Sequence, residues 1–226
     1  MHINPNSGGI ALPAPSLAER IPPLSSRGHA SGHTIVGRGQ NRRVVMVESN
    51  LEFKWAIILD ADPNVKSIRE QVKMEWSDAG KMRNHYFDFV VTMHSGQKAA
   101  LIVKPAKRAR SEKFLWETRE IAAQVARTGF AEETRVLTED CVDPVTLSNA
   151  RLFRSVCDAD VHADEMANAL IKGLVGAAPI FELTARLELG ARGFRAMVRL
   201  ISTGRLELLH HEVISPETLV KNGGLR

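Results

Sequence analysis

Cysteine is nearly absent from this chain of 226 residues, which holds only Cys141 and Cys157. Two thiols cannot build a disulfide framework, and their spacing is not a zinc-ligand pattern. Long apolar runs are missing as well. No stretch approaches the roughly 18–20 apolar residues that a membrane-spanning helix needs, so no membrane partner is expected. The first 47 residues contain no apolar stretch of the secretory kind, so export is not indicated and a reducing cytoplasmic setting is expected. Acidic residues are missing locally: from Arg20 to Val47 there are five arginines and no aspartate or glutamate.

What is present is the composition of a soluble globular protein, 44% apolar and 25% charged. The length suits one large domain or two small ones and is enough to bury a core. The formal net charge is +4, which permits nucleic-acid binding without requiring it. Two further basic stretches follow the first. Lys104 to Lys113 holds five basic residues, Lys107 and Arg108 among them, against Glu112 alone; Arg186 to Arg205 holds five arginines against Glu188 alone. The three stretches read either as one electrostatic footprint on a polyanion or as three solvated surfaces.

Residues 1–40 are rich in Pro, Ser, Gly and His without hydrophobic periodicity, which predicts a flexible basic arm. Order is expected from Asn41. Ser49-Asn50-Leu51-Glu52 is a capping box opening a helix that should stop at Ala61-Asp62-Pro63. Val65 to Val72 reads as a short extended segment, followed by a polar turn at Asp78–Lys81. Tyr86–Val91 reads as a strand with Phe87, Phe89 and Val91 on one face and Asp88 on the other. Ala99–Lys104 reads as a second, central strand ended by Pro105. Ser111–Gly129 should be a helix and Thr134–Leu137 a strand, giving a mixed sheet flanked by helices over residues 41–147. Residues 150–215 read as helices at 149–156, 163–175, 180–187 and 193–201 followed by a strand at 206–211, the order of a winged helix. Residues 216–226 read as a tail.

Chemistry is suggested where a carboxylate opens a helix (Glu52), a second lies on a hairpin strand (Asp88), and a lysine ends the neighbouring strand (Lys104). Hard carboxylate oxygens hold magnesium, which polarises a phosphodiester and activates water, while a lysine stabilises the added negative charge. The ordinary alternatives are a capping glutamate, a solvated strand aspartate and an edge lysine. Gln71 reads as a surface amide or an orienting group, and His210-His211 as exposed histidines. Trp55, Trp76 and Trp116 read as core or partner anchors.

The succession Glu48-Ser49-Asn50-Leu51-Glu52, Asp62-Pro63-Asn64-Val65, Glu70-Gln71, Tyr86-Phe87-Asp88-Phe89 and Val103-Lys104-Pro105 resembles the N-terminal domain of TnsA-like transposase endonuclease subunits, over about residues 41–125. The resemblance implies a restriction-endonuclease-like α/β fold followed by a winged-helix-like domain. It implies catalytic roles for Glu52, Asp88 and Lys104, with Glu52 and Asp88 holding Mg2+ or Mn2+. It also implies DNA as substrate, an integrase-like (TnsB-type) transposase and a TnsC-like ATPase as partners. Three positions depart from the family pattern: Val72 and Phe87 stand at prolines, and Ile102 stands where the family places glutamate or glutamine. Ile102 supplies no oxygen, so a weakened nuclease, an inactive DNA-binding or assembly subunit and a winged-helix regulator all stay open. Arg192, Arg195 and Arg199 share a helix face by their spacing and, with Lys107 and Arg108, are the expected DNA contacts.

Overall fold

The computed structural model describes residues 12–21, 31–78 and 80–224. They form two compact units. One comprises the described residues up to Ala56 with Val65–Glu139; the other comprises Ile57–Asn64 with the described residues from Asp140 onward. The architecture is mixed α/β, with a four-stranded mixed sheet and seven α-helices among the described residues. None of those helices is long and apolar enough to cross a membrane.

In the first unit, strands β1 (Gly32–Val36) and β2 (Arg43–Val47) form an antiparallel ribbon. Helix α1 (Asn50–Ala61) starts on its capping box. Glu52 N–H donates to Ser49 Oγ at 3.1 Å, and the Ser49 hydroxyl returns a hydrogen bond to Glu52 Oε1 at 2.9 Å. The helix stops before Asp62-Pro63, as the proline requires.

The main sheet has the order β3-β4-β5-β6. Strands β3 (Val65–Asp78) and β4 (Lys81–Met93) form a long antiparallel hairpin. Strand β5 (Lys98–Val103) pairs antiparallel with β4 and parallel with β6 (Glu133–Leu137). A parallel neighbour needs a crossover, and the short helix α2 (Ala106–Ala109) and α3 (Glu112–Thr128) supply it. Ser111 caps α3 by accepting the Phe114 N–H, and Gly129 ends it at φ 64°, a left-handed conformation that glycine adopts without strain. Ile121 and Val125 of α3 pack on Val72, Phe87, Val90, Ala100 and Ile102. The Phe87 and Phe130 rings stack at 5.4 Å.

Order begins before Asn41. Gly32–Val36 is a strand, and Ala14 forms a bridge with Arg43, so residues 12–21 and 31–40 are tied to this unit. The rest of the expected arm, residues 1–11 and 22–30, lies outside the described residues. Strand β3 runs to Asp78, well past Val72, because alternating buried Val72, Met74 and Trp76 extend its apolar face.

The second unit contains α4 (Pro144–Ser155), α5 (Val161–Lys172), β7 (Ala177–Pro179), α6 (Ile180–Leu187), α7 (Ala191–Ser202), β8 (Leu206–Leu208) and β9 (Leu219–Asn222). The three strands form an antiparallel sheet of order β7-β9-β8. Its core gathers Ile171, Ile180, Leu183, Leu187, Met197, Leu206 and Val220. Two expectations fail here. The strand after α7 ends at Leu208, and His210-His211 fall in the loop beyond it, where His211 pairs with Asp143 at 2.8 Å. The expected tail contains β9, the middle strand of the sheet, with Val220 fully buried. A four-residue strand with two polar members leaves little periodicity to read.

Candidate active site

The ladder of the main sheet is interrupted where the chemistry was expected. The β4–β5 pairing runs from Thr92↔Lys98 to Phe89↔Leu101 and stops. Continued by one step it would set Asp88 against Ile102. Instead the Asp88 side chain takes the place of a backbone partner, accepting the Val103 N–H on Oδ2 at 2.7 Å. On the other side, Gln71 lies between the pairs Glu70↔Phe89 and Val72↔Phe87, level with Asp88, in a left-handed conformation at φ 50°. Phe87 and Val90 both enter the core under α3 although they are three positions apart. A regular strand would send them to opposite faces, so the simple alternation expected for Tyr86–Val91 does not hold.

Asp88 is 5% exposed, and Lys104 Nζ lies 3.8 Å from its Oδ2. Lys104 follows the last residue of β5, and its N–H donates to Leu137 O of the β6 segment. Glu52 is also 5% exposed. Its Oε2 accepts the Glu48 N–H at 2.7 Å and its Oε1 the Ser49 hydroxyl. The capping role and the expected site role therefore meet in one side chain.

Burial and then the neighbouring Asp88 charge push the Glu52 carboxyl up to about 7, against an ordinary value of 4.5. Burial also raises Asp88; Lys104 and the Val103 hydrogen bond oppose the shift without cancelling it. Two buried carboxylates in each other's field form a site short of positive charge, although Lys104 and Arg20 partly offset Asp88.

Ile102 is 1% exposed and packs in the core against α3. Among the described residues no group of three or more His, Cys, Asp or Glu side chains is placed to hold a metal ion. The donor set that fits a hard cation is two carboxylates, Glu52 and Asp88. Magnesium is commonly held by one or two carboxylates, completed by water and substrate phosphate.

Arg108 and Lys113 line, with Lys104 and Glu117, an open depression of about 260 Å3. Lys107 is exposed on α2. The three arginines of α7 are used differently from one another. Arg192 makes a two-pronged pair with Asp160, at 2.7 and 2.9 Å, and Arg199 Nε donates to Asp164 Oδ1 at 2.8 Å. Asp160 also caps α5 by accepting the Ala163 N–H, and the Arg192 hydrogen bonds hold its carboxyl well below the usual range. Arg195 is exposed. Trp55 and Trp76 are core residues, whereas Trp116 is half exposed on α3.

Sequence reasoning missed Glu48 and Arg20. Arg20 Nη2 donates to Glu48 Oε1 at 2.5 Å and to Gln71 Oε1 at 2.7 Å. A contact between an arm and a strand 51 residues away has no local signal. Gln71 itself is fully buried.

A comparison of the chain with models of known protein families and with curated proteins finds no match.

Proposed function

We propose that the first unit is a metal-dependent DNA endonuclease of the restriction-endonuclease-like kind, serving as the TnsA-like nicking subunit of a heteromeric transposase. The observation that carries this reading is the meeting of buried Glu52 and Asp88 with Lys104, 3.8 Å from Asp88, where β4 and β5 part. Glu52 and Asp88 would hold Mg2+ or Mn2+, which supplies Lewis-acid polarisation of the phosphate and a water of lowered pKa. Lys104 balances the charge that develops on phosphorus and opposes the burial that raises the Asp88 carboxyl. The Val103 N–H fixes the aspartate, and Ser49 with the Glu48 N–H fixes the glutamate, so neither carboxylate must reorganise as charge develops.

The second unit is read as a winged helix. Its order α5-β7-α6-α7-β8-β9, with the sheet β7-β9-β8, supports that reading. Arg192 and Arg199 tie α7 to α5, which leaves Arg195 as the arginine of that face available to a phosphate. Replacing Arg195 by alanine is expected to lower the slope of log affinity against log salt by about one. An unchanged slope in a fluorescence-anisotropy salt series assigns the face to packing or to a protein partner.

The proposal is tested by nicking of supercoiled plasmid by the full chain with Mg2+ or Mn2+, alone and with an integrase-like transposase and a TnsC-like ATPase. Manganese is expected to support it better, because it binds a thin oxygen set more tightly. A second reading, a DNA-binding assembly subunit without catalysis, is favoured by one observation: Ile102, at the position where the resemblance implies glutamate or glutamine, is a buried apolar side chain packed in the core. No nicking under any of these conditions overturns the catalytic reading and favours the second.

A further inference from the structure

Arg20 plays no part in the chemistry described so far, yet it is delivered to the site with care. The segment carrying it is fixed residue by residue. Ala14 donates its N–H to Arg42 O and accepts the Val44 N–H. The Ser16 hydroxyl and the Leu17 N–H donate to Glu70, a fully buried carboxylate that Arg43 also pairs at 2.7 Å. Glu19 donates its N–H to Gln71 O, and its carboxylate accepts the Lys73 N–H and pairs Arg69.

At the end of this segment the Arg20 guanidinium is held on two sides. Nε and Nη2 both donate to Gln71 Oε1, Nη2 also donates to Glu48, and the group lies 5.2 Å from the Tyr86 ring centroid. Nη1 makes no hydrogen bond to a described residue. The Gln71 amide completes the pattern. Its Oε1 is taken by Arg20, while its Nε2 is buried and has no partner. A buried donor left unmade is costly, and one kept beside a partly exposed guanidinium points to an anionic acceptor that arrives from outside.

Lys104 belongs to the same neighbourhood. Burial first, then the Lys104 and Arg20 charges, push the His85 imidazole down to about 4. Gln71, which holds Arg20, lies level with Asp88 in the β3–β4 ladder, and Lys104 Nζ lies 3.8 Å from Asp88 Oδ2. Arg20, bonded to Gln71, and Lys104 therefore approach Asp88 from the strands on its two sides.

Building on the nuclease reading, we propose that Arg20 Nη1, Gln71 Nε2 and Lys104 Nζ form an oxyanion-binding subsite that receives the non-bridging oxygens of a DNA phosphodiester placed at Asp88. Glu48 holds Arg20 in position, and the arginine adds a fixed planar donor that a lysine cannot imitate. The arm is then part of the site, and the first arginine of the acid-free stretch from Arg20 to Val47 has a local use.

The test uses the full chain and a fluorescein-labelled 20-base-pair duplex in a salt series, with nicking measured in parallel. Arg20→Ala is expected to reduce the salt slope by about one. Where wild type nicks, the same change is expected to slow nicking by about 10²–10³-fold, the usual effect of removing one oxyanion donor. Arg20→Lys should restore the slope but not the rate. Glu19→Ala, which removes a neighbouring anchor of the same segment, should leave the slope unchanged. An unchanged slope and affinity in Arg20→Ala overturns the subsite, whether or not wild type nicks. An equal fall in Glu19→Ala also overturns it, because loosening of the segment would then be the cause. Absence of nicking by wild type with the Arg20 slope effect intact removes the catalytic reading and leaves the anion subsite standing.

Discussion

Asp88→Asn is expected to reduce metal-dependent plasmid nicking by about a thousandfold or more. The exchange keeps the size of the side chain and an oxygen for the Val103 N–H, so the parting of β4 and β5 is preserved. It removes the negative charge that would hold the cation and that Lys104 faces at 3.8 Å. Metal-ion stabilisation of a phosphoryl transition state is worth several kcal/mol, and about 4 kcal/mol corresponds to a thousandfold in rate. Equal nicking by wild type and Asp88→Asn would mean that another site or a contaminant does the cutting.

The companion change, Ile102→Glu, acts in the opposite direction. Ile102 is 1% exposed and shares the core with Ile121 and Val125. A carboxylate there supplies the missing oxygen but is buried without a cation to pair it, which destabilises the metal-free protein. Nicking is expected to rise, Tm without metal to fall, and the gain in Tm on adding Mn2+ to exceed that of wild type. If Mn2+ raises both Tm values equally, position 102 does not reach the cation.

How far the sequence disclosed this site depends on the range of the interactions. The Ser49–Glu52 capping box, the stop before Pro63, the Ser111 cap and the Gly129 end are all set by residues within four positions of one another, and each was readable. The apolar run Ala99–Val103 announced a central strand for the same reason. The end of the β4–β5 pairing at Asp88 was not readable, because there a side chain replaces a backbone partner of another strand. The position of Arg20 depends on Glu48, Gln71 and Tyr86, which are 28 to 66 residues away, and nothing in its proline- and serine-rich surroundings marks it. The arginines of α7 show the converse. Their spacing correctly put them on a helix, but their pairing with Asp160 and Asp164 is 32 and 35 residues distant and was invisible. The restriction-endonuclease-like fold and the winged helix were reached through the resemblance and through element order, and they stand as proposals on those grounds.

Without metal, the protein is expected to lose stability as pH rises from about 4.5 to about 7, and Glu52→Gln is expected to remove most of that loss. Burial, followed by the Asp88 charge, raises the folded Glu52 carboxyl to about 7, while the unfolded chain ionises at its ordinary 4.5. Between those values the folded state binds more protons than the unfolded state, so stability falls with increasing pH. The contribution is fully present below the unfolded value and is gone once pH passes the folded value. A difference of this size corresponds to on the order of 3 kcal/mol. Asp88, also raised by burial, adds a slope of the same sign. Glutamine at position 52 keeps an acceptor for the helix start, since the capping box takes glutamate or glutamine at that place, and it cannot ionise. Thermal melts from pH 4.5 to 8 in the presence of a chelator should show a falling Tm for wild type and a flatter profile for Glu52→Gln. At pH 8 the variant should be the more stable protein. Adding Mn2+ at pH 8 reverses the ranking, because the cation binds the ionised Glu52 and Asp88 of wild type and stabilises only the state that holds it. Asp88→Asn lowers the Glu52 value by removing the repelling charge, so its profile should lie between the other two. Superimposable pH profiles for wild type and Glu52→Gln would show that Glu52 is not held protonated by this site, and the two carboxylates would then not form the electrostatic unit on which the nuclease reading rests.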